Sequence, residues 1–151
     1  MNSLFSDEGV RQLKYRITTL KPDSKGQWGK MDVAQMLAHC QAPLNVGIGG
    51  HELPKYNFFL RAIGRMVKNK LVKDDKPFKH SQPTDKSFVV GDKRDFEIEK
   101  TKLMEAVDKF SALGKSGKLK GAHPFFGKLS QAEWDKLQWK HLDHHLRQFG
   151  A

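Results

Sequence analysis

Apolar residues recur at helical spacing along most of the chain, and the pattern predicts five helices joined by loops. Val10, Leu13 and Ile17 define a first helix from near Ser6 to Leu20, with Ser6 as N-cap, Asp7 and Glu8 in its first turn and Pro22 beyond its end. Residues 22–30 are rich in Gly, Ser, Asp and Lys and read as a loop anchored by Trp28. A second helix opens at Asp32, where Asp-x-x-Gln to Gln35 forms a capping box. Its stripe is Val33, Met36, Leu37, Cys40, Leu44 and Ile48, and Pro43 is expected to kink it. After Gly49-Gly50 and Pro54, a third helix from about Tyr56 to Val72 places Phe59, Leu60, Ile63, Met66, Val67 and Leu71 together, opposite a basic side.

Residues 73–93 carry Pro77, Pro83 and scattered charge, with one short apolar run at Phe88-Val89-Val90, and are expected to form a long loop of the kind that often carries function. A fourth helix, about Arg94 to Leu113, buries Phe96, Leu103, Val107 and Phe110 and is expected to stop at Gly114. The last helix starts at Ser130, whose capping box is closed by Glu133, and runs almost to the C-terminus. Long amphipathic segments without a convincing strand argue for an all-α four-helix bundle with an extra short helix or long loop in the middle.

At 151 residues the chain has the size of one domain, 1–151, and its core needs neither a disulfide nor a structural metal. Cys40 is the single cysteine, which excludes disulfide scaffolds and fits a reducing compartment; a cytoplasmic protein is expected. Residues 33–51 lack formal charge, yet Gln35, His39, Gln41, Pro43, Asn45 and three glycines exclude a membrane helix. The 27 Lys+Arg against 17 Asp+Glu give a net charge of +10, with an excess over residues 55–80. That charge permits contact with nucleic acid, but the absence of a reading motif argues against it, and a solvated face is the expectation.

The chemistry sits on the last helix. Trp134, Leu137, Leu142 and Phe149 share one face, with Lys136, Lys140, Asp143 and Arg147 opposite. His141 and His145 lie four apart in the middle of the apolar face, so their side chains project together, at a spacing that lets two imidazoles hold one cation. Either histidine alone would read as a satisfied core residue. As a pair, both need partners, and one ion satisfies both. His144 competes for the role but lies toward the flank. A third ligand must come from another helix, where His39 borders the apolar stripe; three neutral histidines with an open position are the donor set of catalytic zinc. His51, His80 and His123 fall in loops. His123 with Phe125-Phe126 reads first as a loop anchor and second as the mouth of a site. Cys40 reads as core filler and Asp143 as a surface charge, and no general base stands out.

The stretch from Gln27-Trp28-Gly29-Lys30-Met31 through Met36-Leu37-Ala38-His39-Cys40, with His141-Leu142-Asp143-His144-His145-Leu146-Arg147-Gln148, resembles the DinB-like (YfiT-like) superfamily, in particular a branch without an assigned function. The resemblance is carried by about 50 residues at the two ends of the chain. It implies a four-helix bundle in which His39 from the second helix and the pair His141 and His145 from the last bind a divalent metal. The terminal signature of the superfamily commonly reads H-x-x-H-H-R-G-Q; here Leu146 and Arg147 precede Gln148, so its arginine and glycine are displaced or lost. Members with known activity include thiol-dependent transferases and isomerases that use bacillithiol, mycothiol or glutathione. The reading is therefore a metal-dependent enzyme acting on a small-molecule substrate, a thiol S-transferase or a hydrolase, with zinc or nickel as the metal and a low-molecular-weight thiol as cosubstrate. The alternatives are a non-catalytic metal-binding bundle, dimeric or not, and a basic nucleic-acid-binding module.

Overall fold

The computed structural model describes residues 2–82 and 84–151, which leaves Pro83 outside the described residues. The chain is mostly helical. Helices α1 (Asp7–Thr19), α2 (Val33–Ile48), α3 (Phe58–Val72), α4 (Phe96–Lys115) and α5 (Gln131–Gln148) follow one another, with a 3₁₀ turn at Lys86–Phe88 and a short hairpin, β1 (Ala122–His123) with β2 (Gly127–Lys128), before α5. The hairpin is a departure from the strand-free expectation; it pairs Ala122 with Lys128 and His123 with Gly127.

The predicted starts hold because each is written in side chains that satisfy free N–H groups. Ser6 accepts from Gly9, and both capping boxes, Asp32 with Gln35 and Ser130 with Glu133, are closed in both directions. Helix α2 runs unbroken through Pro43. Helix α4 does not stop at Gly114 but continues to Lys115. That glycine is a packing residue, because a Cβ there would overlap the Phe5 ring.

The core joins four helices. Helix α2 packs along α4 and also meets α5, while α1 lies against α4 and α5. Leu13 and Ile17 of α1, Met36, Leu37 and Leu44 of α2, Val107 and Phe110 of α4, and Trp134, Leu142 and Leu146 of α5 are almost fully buried. Cys40 belongs to this core, its Sγ 3.7 Å from Met36 Sδ, and burial pushes its thiol pKa upward, as suits a packing residue.

Helix α3 stands apart. It reaches α5 and β2, but among its described residues only Gly64 is buried, tight against the Phe125 carbonyl. Phe59 and Met66 are 70% and 73% exposed, so part of its apolar stripe is outer surface, while Val67 and Leu71 line a cavity and Leu71 packs against the core. Helix α5 shows the opposite departure. Lys140, on its nominally polar face, is buried and donates to the carbonyls of Leu71 and Asp74, holding the end of α3 and the loop that follows. Lys136 pairs with Asp75 and Lys68 with Glu133, so part of the basic stretch serves this docking. No helix among the described residues is long and apolar enough to cross a membrane.

Candidate metal centre

Helices α2 and α5 bring His39, His141 and His145 together. One ring nitrogen from each falls within 4.8 Å of the others, and the Nε2 atoms of His39 and His141 are 3.1 Å apart. The i, i+4 spacing on α5 stacks the second and third rings edge to face at 4.7 Å, and His39 meets His145 at the same distance from across the helix interface.

The outer nitrogens orient the rings. His39 Nδ1 donates to the Phe88 carbonyl at 2.7 Å, which places its proton there and leaves Nε2 with a free lone pair. His145 Nδ1 donates to Gln148 Oε1 at 2.8 Å, while the amide nitrogen of Gln148 donates to the Trp28 carbonyl at 2.7 Å, fixing which way the amide faces. Among the described residues, His141 Nδ1 is buried without a partner, as is Gln138 Oε1 one turn earlier on α5.

Burial disfavours the protonated form of each ring. It lowers the pKa of His39, opposed by the Phe88 carbonyl, and drives His141 well below its ordinary value, helped by His145, His39 and His144. His145 falls to about 3, from burial first and then the nearby His39, with Gln148 opposing. At neutral pH all three are neutral imidazoles, the form that binds metal. The donor set fits a divalent cation. Tetrahedral nitrogen ligands at Zn–N bonds of 2.0–2.1 Å lie about 3.3 Å apart; the 3.1 Å between His39 and His141 matches this spacing, and the full three-nitrogen group falls within 4.8 Å.

The three rings stand in the wall of a cavity of about 770 Å³. Trp28 from the α1–α2 loop, Val67 and Leu71 of α3, Phe88, and Phe125 and Phe126 of the hairpin complete much of it. The 73–93 loop supplies both cavity wall and the carbonyl that orients His39. Asp85 caps the 3₁₀ turn through Ser87 and accepts a hydrogen bond from the Tyr56 hydroxyl.

The other predicted histidines take separate places. His144 lies on the flank, its ring 5.6 Å from Trp28 and 6.1 Å from His80, outside the three-nitrogen group. His80 stacks on Trp28 at 3.7 Å. His123 anchors its loop by accepting from the N–H groups of Phe125 and Phe126, each at 3.1 Å, and it also lines the cavity. Asp143 pairs with Arg16 and Arg147 on the far side of α5. Gln138 and the Phe88 carbonyl were not legible as site groups: a backbone acceptor leaves no sequence signal, and a lone glutamine on a helix has many roles. Gln148 follows the pair His141 and His145 by one turn of α5, and that spacing is the sequence signal for its position.

A family model described as "Protein of unknown function (DUF1569)" matches residues 7–151, and the chain belongs to that family. No curated protein and no solved structure matches it.

Proposed function

We propose that this member of a family without an assigned activity is a metal-dependent enzyme whose ion is held by His39, His141 and His145, and that it catalyses transfer of a low-molecular-weight thiol. The observation that carries the reading is the convergence of three neutral ring nitrogens within 4.8 Å in a cavity wall, two of the rings already oriented through their other nitrogen. When bound, a divalent cation, with zinc or nickel as first choice, lowers the pKa of a ligated thiol or water and so supplies a nucleophile near neutral pH. The chain's own residues hold and orient the rings, bury them and leave their cavity side open to a reactant. In this reading α1, α2, α4 and α5 are the four helices of a DinB-like bundle and α3 is the added element.

Three buried donors from two helices also account for why His141, His145 and His39 sit in an apolar environment, which is costly for a polar group without a partner. The test is metal content of tag-free protein by mass spectrometry, for wild type and for His39→Ala, His141→Ala and His145→Ala. The expected result is about one ion per chain in wild type and loss in all three variants while their circular dichroism stays helical. Absence of metal after reconstitution with zinc, nickel, manganese or iron overturns the proposal. A metal-loaded protein is then assayed for consumption of glutathione, bacillithiol or mycothiol in the presence of an electrophile; unfolding on chelation without turnover would identify a structural ion instead.

A further inference from the structure

We propose that the reactant received by this centre is a small organic molecule with a bulky apolar body and one polar, metal-coordinating end; the polar end rests on the metal reading above, the apolar body does not. A volume of about 770 Å³ falls in the range of small-molecule sites. Its walls come from separate segments and are mostly aromatic or aliphatic, with Met31, Leu53, Val67, Leu71, Phe88 and Phe125 among them, while Ser81, Gln82 and Thr84 add polar lining from the loop before the 3₁₀ turn. Among the lining residues the charged ones are Lys30, Lys79 and Asp85, and the carboxylate of Asp85 is already engaged by Tyr56 and Ser87.

This reactant is the electrophile that accepts the thiol: a charged group on it, set against the apolar walls, would lose water and regain few partners. An apolar body loses nothing comparable and gains burial in proportion to its area. At the metal-site end the polar groups converge: His39 from α2 and His141 and His145 from α5, joined by Gln138 Oε1, which has no partner among the described residues. One end of the ligand is thus recognised by polar groups and the rest by shape and apolarity. The wall is also continuous with an apolar exterior. Val67, 38% exposed, lines the cavity, and Met66, next to it in sequence, lies on the open surface.

Two probes separate the parts of the proposal. Acetohydroxamate and octanohydroxamate share a metal-binding head and differ in tail; titrated into zinc-loaded protein, the longer is expected to bind at least about tenfold tighter, since each buried methylene adds affinity. Equal affinities overturn the apolar body. N-phenyl-1-naphthylamine, a neutral apolar fluorophore, is titrated into metal-free and zinc-loaded protein and is expected to bind saturably to both. Val67→Glu and Leu53→Glu, on different walls, should each weaken it about tenfold, whereas Met66→Glu, beside Val67 but outside the cavity, should leave it within about twofold. Equal loss in Met66→Glu assigns the dye to the outer face of α3 and overturns the proposal, as does the absence of saturable binding. A protein that binds the dye in this wall-dependent way but takes up no metal retains the apolar site and refutes only the metal reading. One that binds metal but neither the dye nor the longer hydroxamate preferentially does the reverse.

Discussion

Gln148 Oε1 accepts the Nδ1 proton of His145 at 2.8 Å while the same amide donates to the Trp28 carbonyl at 2.7 Å, so one side chain ties a candidate metal ligand to the loop before α2. The backbone completes the tie, since Gln27 N–H donates to the Gln148 carbonyl at 2.8 Å. The amide sets both the tautomer and the direction of the His145 ring. Gln148→Ala is expected to weaken zinc binding by about 10- to 100-fold, the usual effect of removing a ligand's orienting partner. Gln148→Glu keeps an acceptor for His145 and loses the donor to Trp28, so it should retain most metal affinity and lower thermal stability. Competition titration with a chromophoric chelator, alongside thermal melts, measures both.

Asp85 acts on the site one step further out. Its carboxylate caps the 3₁₀ turn whose last residue, Phe88, orients His39. Asp85→Ala should cost about 1 kcal/mol of stability, as for loss of an N-cap, and should lower zinc affinity by loosening the His39 ring. Asp85→Asn, which can still accept from Ser87, should recover the larger part of both. Equal metal affinity in wild type and Asp85→Ala would show that the turn is held without the cap.

His123 is expected to make the fold acid-sensitive. Burial lowers its pKa to about 4, with Asp85 opposing. Protonation of Nδ1 would also remove the acceptor used by Phe125 and Phe126. The unfolded ring titrates near 6.5, so the unfolded state binds more protons between the two values. The contribution is therefore complete above about pH 6.5 and is lost as pH falls toward 4, about 3 kcal/mol in all. His123→Asn, with an oxygen acceptor that does not titrate, should be less stable at pH 7 through lost ring packing yet show a shallower fall between pH 7 and pH 4. Urea unfolding of the zinc-loaded proteins across that range checks it.

Gly64 controls the docking of α3. A Cβ at this position would collide with the Phe125 carbonyl. Gly64→Ala should therefore push α3 away from the hairpin even though alanine favours helix elsewhere. Because α3 contributes little to the core, the expected result is faster proteolysis within residues 54–76 and weaker binding of the apolar dye. Metal content and the main thermal transition should change little, and a large fall in the melting temperature would show that α3 is integral to the core.

Much of this architecture was legible in the sequence because it is local. Ser6, Asp32 and Ser130 mark helix starts through hydrogen bonds made within three residues. The pair His141 and His145 follows from one turn of helix, and periodicity alone places it among apolar neighbours. His39 could be named as a third donor because it borders the α2 stripe, in a stretch that resembles a family motif.

Tertiary packing decided the rest. Gly114 has the composition of a helix stop, yet α4 runs through it because Phe5, more than 100 residues away in the chain, needs the space of a missing Cβ. The stripe on α3 has helical periodicity whether it faces core or solvent, and only its position beside α5 and the hairpin leaves Phe59 and Met66 outside while Val67 and Leu71 face the cavity. Lys140 reads as a surface cation until the carbonyls of Leu71 and Asp74 are found around its amine. The same holds at the centre itself: residue types and spacing within a helix supply the donors, but their convergence depends on how α2 and α5 pack. The carbonyl of Phe88 and the cavity wall arise only when distant segments meet, and such long-range contacts leave no periodic trace in the chain.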